Sequence, residues 1–152
     1  MTGPVARLAE LGLALPPVAS PLGVYVPALR SGPHVYVSGQ LPLVDGELAA
    51  TGKVGAEVSA EQARELAARC ALNALAAIDA LVGLDQVVRV VKVTGFVASA
   101  GGFTGQPGVL NGASDLFGAV FGDAGRHVRS AVGVAELPLG APVEVEVIVE
   151  VT

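Results

Sequence analysis

The residue best suited to chemistry is Arg129, inside the stretch VRSAVGV that begins at Val128. If that stretch is a strand, alternation puts Val128, Ser130, Val132 and Val134 on one face. Arg129 then shares the other with Ala131, Gly133 and Ala135. A guanidinium beside a row of minimal side chains has space above it, and its planar fork suits two-point binding of a carboxylate. An arginine satisfying a structural carboxylate, or lying at a solvated edge, fits the same pattern. Glu144 is a candidate to orient water or exchange protons, as partly shielded carboxylates do. It is also the first of three outward glutamates, with Glu146 and Glu150, on a single strand. Tyr25 and the tripeptide Ser38, Gly39, Gln40 follow short Gly/Pro-rich turns. Gly39 would let a ligand approach the backbone, or would mark a strand bulge. Asn111 lies near the start of a predicted helix, where it faces a cleft or fixes a loop.

Other chemistries find little support. One cysteine and two widely separated histidines make no metal-ligand cluster, so no metal is expected. His34 and His127 have no acidic partner at a telling spacing and read as surface or turn histidines. Ser38 and Ser130 lack a Ser-His-Asp constellation. The chain carries 14 acidic and 9 basic residues, a net charge of -5, and has four Phe, two Tyr and no Trp. Without a basic stripe or an aromatic–basic interleave, a nucleic-acid surface is disfavoured. The N-terminus has neither the charged start nor the apolar run of a signal peptide. No uninterrupted apolar stretch reaches the roughly 18 residues of a membrane span, so a cytoplasmic protein is expected.

The elements that must position these residues are legible from periodicity and punctuation. A length of 152 residues suits a single domain over 1–152, and 52% hydrophobic with 15% charged residues argues against disorder. The apolar excess points to a subunit interface. A short helix is predicted at about 5–12, then strands over 25–30 and 35–43 joined by a turn at 31–33, then a turn at Asp45 and Gly46. The clearest helix runs over 60–81, with Ser59 and Gln62 as a capping box and Gly83 as the stop. Its buried stripe is Leu66, Cys70, Asn73, Ala77 and Leu81, which makes Cys70 a small inert hydrophobe. A strand rich in β-branched residues starts at Val87. A second helix is predicted at about 107–121, burying Val109, Ala113, Leu116 or Phe117, and Val120, and ending at Gly122. Strands over 128–137 and 143–151 follow, the last with Val143, Val145, Val147, Val149 and Val151 on one face. The order β-β-α-β-α-β-β predicts a two-layer α/β (α+β) domain, a mixed sheet with two helices on one face. A second subunit is the economical cover for its other face.

With Tyr25, SGQLP, Asn111, RSAV and VEVEV in hand, the chain resembles the RidA (YjgF/YER057c/UK114) family of reactive intermediate deaminases. The resemblance spans about Gly23 to Val151, and the opening helix and AELPLGAPVEVEV style are similar to a divergent bacterial branch. It implies a chorismate-mutase-like fold assembled as a homotrimer with ligand clefts between subunits. It also implies cofactor-free hydrolysis of reactive 2-imino acids to 2-oxo acids and ammonia. Some relatives are described as single-strand endoribonucleases or translation inhibitors, and a non-catalytic carboxylate-binding or sensing role is the alternative in a different class. On this resemblance Arg129 clamps the substrate carboxylate and Glu144 positions the attacking water. Tyr25 and Asn111 line the cleft, and Ser38 and Gly39 form part of its wall. Ala131 stands where archetypal members often have Cys, whose backbone carbonyl is thought to help hold water, and Gly133 where they often have Glu. The stretch 44–53 is insert-like and would reshape the cleft mouth.

Overall fold

The structure, a computed structural model, describes residues 3–152. Helix α1 (Pro4–Glu10) opens on a proline, whose missing N–H costs nothing in a first turn. Arg7 Nη1 donates to the Val120 carbonyl at 3.0 Å, and Leu8 is buried, so α1 is pinned to the end of a later helix. Strands β1 (Ala28–Ser31) and β2 (His34–Gln40) form a hairpin turning at Gly32, which has φ +60°. Both are shorter than expected. Residues 25–27 stay outside the ladder, where Pro27 has no N–H to give. β2 stops before Leu41 and Pro42. A small hairpin, β3 (Leu43–Val44) and β4 (Glu47–Leu48), surrounds the expected turn. Asp45 and Gly46 have φ of 53° and 82°, the doubly left-handed geometry of a tight type I′ hairpin.

Helix α2 (Ala60–Leu81) begins where the Ser59 hydroxyl accepts the Gln62 N–H at 3.1 Å, with Glu61 favourably placed in the first turn. Leu66, Cys70, Asn73 and Ala77 are buried as expected, but Leu81 is 44% exposed. The chain turns away there through Gly83, and Leu84 fills the core instead. Strand β5 (Val87–Ala98) leads into α3 (Gln106–Phe121), which returns to β6 (Val128–Val134), parallel to β5. The helices α2 and α3 cross so closely that a side chain at Gly112 would strike the Arg64 carbonyl. β6 ends earlier than the expected 137, because a short 3-10 turn over Pro138–Gly140 follows. β7 (Val143–Val151) has the predicted bounds.

The five-stranded sheet has the order β1-β2-β7-β5-β6, antiparallel apart from the β5–β6 pair. The alternating valines of β7 lie in the core under the helices. Two irregularities in β5, at Val88 and Val91, shift its pairing with β7. They bring Val90 and Val93 onto the core face together, opposite Val149 and Val147, and put Arg89 and Lys92 together on the other. That second face is uncovered. It presents Leu29, Tyr36, Val128 and Val132, all exposed, beside partly buried Phe96 and Ile148. Among the described residues no helix is long and apolar enough to cross a membrane.

Candidate functional site

Arg129 lies on the helix-covered face. It pairs with Val93, which pairs with Val147, and both valines are fully buried under the helices. Helix α3 runs antiparallel above this row. Gln106 lies over Gly133, Leu110 over Gly95 beside Ala131, and Asn111 and Ser114 over Arg129. The guanidinium donates from Nη1 to Asn111 Oδ1 at 2.8 Å and to Ser114 Oγ at 3.1 Å, and from Nη2 to the Pro107 carbonyl at 3.4 Å. Every one of these acceptors is neutral. Arg64, by contrast, is paired with Asp115 and Arg126 with Asp123. Arg129 forms no ion pair among the described residues, so its charge is oriented but uncompensated, which suits an incoming anion.

Glu144 lies on the open face. It pairs with Phe96, which pairs with Val132. The bulge in β2 falls at Ser38 and Gly39, between the Val37–Val147 and Gln40–Val145 pairs. It is held by Ser38 Oγ donating to the Val26 carbonyl at 2.6 Å and by Gln40 Nε2 donating to the Ser38 carbonyl at 3.0 Å. A Cβ at Gly39 would collide with the Glu144 carboxylate, so the glycine makes room for that group. Burial, followed by repulsion from Glu146, raises the Glu144 pKa above the usual 4.5. No hydrogen bond reaches its carboxylate among the described residues. A small cavity of about 70 Å³ is lined by Tyr25, Ser38, Gly39, Leu41, Pro138 and Glu144. The Tyr25 hydroxyl accepts the Leu22 N–H at 3.1 Å at its rim.

The predicted site residues therefore form two groups on opposite faces of one sheet. Arg129, Asn111 and Ala131 stand under α3, and Tyr25, Ser38, Gly39 and Glu144 stand at the open face. Neither group alone has both a cation and a carboxylate. Burial raises the Cys70 thiol well above its usual range, as expected of an inert core residue, with Glu144 adding to the shift. Among the described residues no three His, Cys, Asp or Glu side chains gather as a metal site.

His127 corrects an expectation, because it is neither a free surface nor an ordinary turn residue. Its Nδ1 is 2.7 Å from the Gly125 carbonyl and its Nε2 2.9 Å from Ser114 Oγ, and its ring meets Phe117 edge-on at 6.0 Å. A signal for it existed: His127 is two residues before Arg129, just ahead of β6, and extended backbone would point both side chains to the same side. Ser114, three residues after Asn111 and on the same helix face, joins the site with no motif of its own to mark it. Gln106 has none either. Its Nε2 donates to Ser99 Oγ at 3.2 Å and occupies the space that a Gly133 side chain would need.

The family model for Endoribonuclease L-PSP matches residues 17–151. The Trypanosoma cruzi protein TCP17 is 47% identical over 147 residues, covering 95% of this chain and 92% of that one. The structure of Atu1372 from Agrobacterium tumefaciens superposes with a TM-score of 0.90 at 46% identity, covering 97% of this chain and 91% of its own. E. coli TdcF, solved with bound serine, matches with a TM-score of 0.63 at 27% identity, over 89% of this chain and 94% of its own. With this coverage and the two-layer fold already described, the chain belongs to the RidA/YjgF family.

Proposed function

We propose that this protein hydrolyses small 2-imino acids, or their enamine tautomers, to 2-oxo acids and ammonia without a metal or organic cofactor. The observation that supports the reading is that the same sheet carries an oriented, uncompensated Arg129 on one face and, on the other, a half-buried Glu144 with no hydrogen-bond partner among the described residues. Arg129 anchors the substrate carboxylate. Glu144, its pKa raised above the usual 4.5 by burial, takes a proton from water as the oxygen adds to the C=N carbon, then returns it to the departing amine. The tetrahedral carbinolamine collapses to the C=O product and ammonia. An imine is already electrophilic, so orientation and electrostatic complementarity suffice. Asn111 holds Arg129, Tyr25 closes the rim, and Ser38 and Gly39 supply backbone at the cavity wall. The Ala131 carbonyl remains available although its side chain is minimal. The serine bound by TdcF is a small amino acid, the saturated counterpart of such a substrate.

The two groups meet in this reading between subunits. The exposed apolar residues of the open face would be covered by a neighbouring copy in a homotrimer, with one chain bringing Arg129 and the next Glu144. The test is the rate of 2-iminopropanoate hydrolysis, generated by an amino-acid oxidase and trapped with semicarbazide, in wild type and Arg129→Ala. Acceleration by the wild type that is lost in the variant is expected. Full activity in Arg129→Ala would sink the mechanism. Arg129-dependent binding of a 2-oxo acid without turnover would make the protein a carboxylate sensor instead.

A further inference from the structure

We infer that Ser114 and His127 form a two-residue relay that positions the Arg129 guanidinium, an inference that rests on Arg129 being the carboxylate anchor. The hydrogen-bond roles follow from the chemistry of the partners. The Gly125 carbonyl can only accept, so His127 Nδ1 carries the proton across the 2.7 Å contact. In the neutral ring Nε2 is then an acceptor, and across 2.9 Å it takes the Ser114 hydroxyl proton. The hydroxyl, its single proton committed to His127, turns a lone pair to Arg129 Nη1 at 3.1 Å. The chain thus runs from Arg129 to Ser114, from Ser114 to His127, and from His127 to the Gly125 carbonyl, every link donating in one direction.

Three features make this more than a satisfied polar cluster. The first is charge. A carboxylate at position 114 would hold the arginine more tightly but would neutralise it, whereas a hydroxyl backed by an imidazole nitrogen fixes direction and leaves the charge for a ligand. The second is rigidity. A serine within a helix can turn its proton to the carbonyl four residues back, and His127 supplies a competing acceptor that holds it in one rotamer. The third is support for the ring itself. Phe117 packs against it at 84°, and a Cβ at Gly125 would collide with the Phe117 carbonyl, so the backbone that fixes Nδ1 is tightly seated. Asn111 holds the same Nη1 from the other side at 2.8 Å. Among the described residues Nη2 has only the long 3.4 Å contact to the Pro107 carbonyl, and it is the nitrogen left to face a carboxylate.

Glutamine and asparagine separate the two ends of the imidazole. His127→Gln keeps an oxygen near the Nε2 position and can still accept from Ser114. His127→Asn keeps an N–H near Nδ1 for Gly125 but withdraws the acceptor. Binding of 2-oxobutanoate to the full chain, followed by ligand-observed NMR titration, reads the effect without requiring turnover. Ser114→Ala is expected to weaken binding about tenfold and His127→Asn about threefold, the scale of hydrogen bonds to a charged and a neutral group. His127→Gln is expected to stay within about twofold of wild type at a melting temperature matching that of His127→Asn. In turnover the losses should fall on KM and leave kcat. The relay is overturned if Ser114→Ala and His127→Asn bind as wild type while Arg129→Ala does not. It is equally overturned if His127→Gln is as weak as His127→Asn. Undiminished binding by Arg129→Ala would instead refute the anchor itself, and the relay with it.

Discussion

The two faces of the sheet come from the same alternating strands, yet they treat their charged residues in opposite ways. On the helix-covered face Arg129 is held at three points by its own chain, every acceptor neutral. On the open face Glu144 receives no hydrogen bond among the described residues, is half-buried, and has its pKa raised. The covered face has therefore organised its charge in advance. The open face keeps a carboxylate at a cost in solvation, beside apolar residues that none of the described residues covers. A structural glutamate would be paired, and a solvated one would not be pushed up by burial. Within one chain the cation is fully oriented while the carboxylate is left without a hydrogen-bond partner among the described residues.

The sharpest way to break the contrast is to remove its charges and then divide them between chains. Arg129→Ala should lower kcat/KM for 2-iminopropanoate by about a hundredfold, within the cost of stripping one partner from a desolvated charge pair. Glu144→Gln should be similarly impaired. If each cleft takes Arg129 from one chain and Glu144 from the next, every mixed trimer of the two variants has one intact cleft. Co-refolding equal amounts should then restore about a quarter of wild-type activity. No recovery in verified mixed trimers would place both residues in one chain's cleft.

The next test strikes the open face alone. Val132→Glu puts a charge in the row of Phe96 and Glu144, where burial by a partner would cost about 3 kcal/mol per unpaired charge. Sedimentation should show monomers with unchanged circular dichroism. Ala119→Glu, exposed on α3, should leave assembly intact. A Val132→Glu protein that still forms trimers would deny the open face its interface role. A smaller effect is expected of Gly39→Ala, whose Cβ displaces the Glu144 carboxylate. About a tenfold loss of kcat, with overpacking of about 1 kcal/mol in stability, is the expected result.

The smallest effect concerns pH. Because the folded-state pKa of Glu144 is raised above 4.5, the folded protein holds that proton more tightly than the unfolded chain. Stability is therefore lost as pH rises from about 4.5 through the raised value. Glu144→Gln removes the penalty and should melt about 2 °C higher at pH 8, with the gain vanishing as pH approaches 4.5. Melting curves of both proteins across that range would decide it. A gain that grows at low pH would contradict the assigned shift.

Much of the architecture was legible from local signals. The alternating valines of β7 marked its core face, and Ser59 and Gly83 marked the ends of α2. Asp45 and Gly46 marked a tight turn, because those effects act over one to four residues. Leu81 and the early strand ends depart from the pattern, since periodicity continues in sequence after the chain has turned away. Arg129, Asn111, Ser38, Gly39 and Glu144 were found by residue type, pattern and family resemblance. No acidic residue at a telling spacing marks His127 in the sequence, and its partners are instead a serine and a carbonyl supplied by tertiary packing.

The amino-acid order alone was enough for the type and sequence of the main helices and strands, for the apolar face of β7, and for one arginine standing among minimal side chains. These follow from periods of 2 and 3.6 residues, which any chain carries in its own order. Only the tertiary structure decided that Arg129 and Glu144 face opposite ways, because that depends on the register of β6 with β5 and of β5 with β7. A shift of one residue in either pairing, of the kind produced at Val88 and Val91, turns a side chain to the other face. The neutrality of the groups around Arg129 was likewise settled by the packing of α3 over β6, which brings Ser114 and His127 together from 13 residues apart.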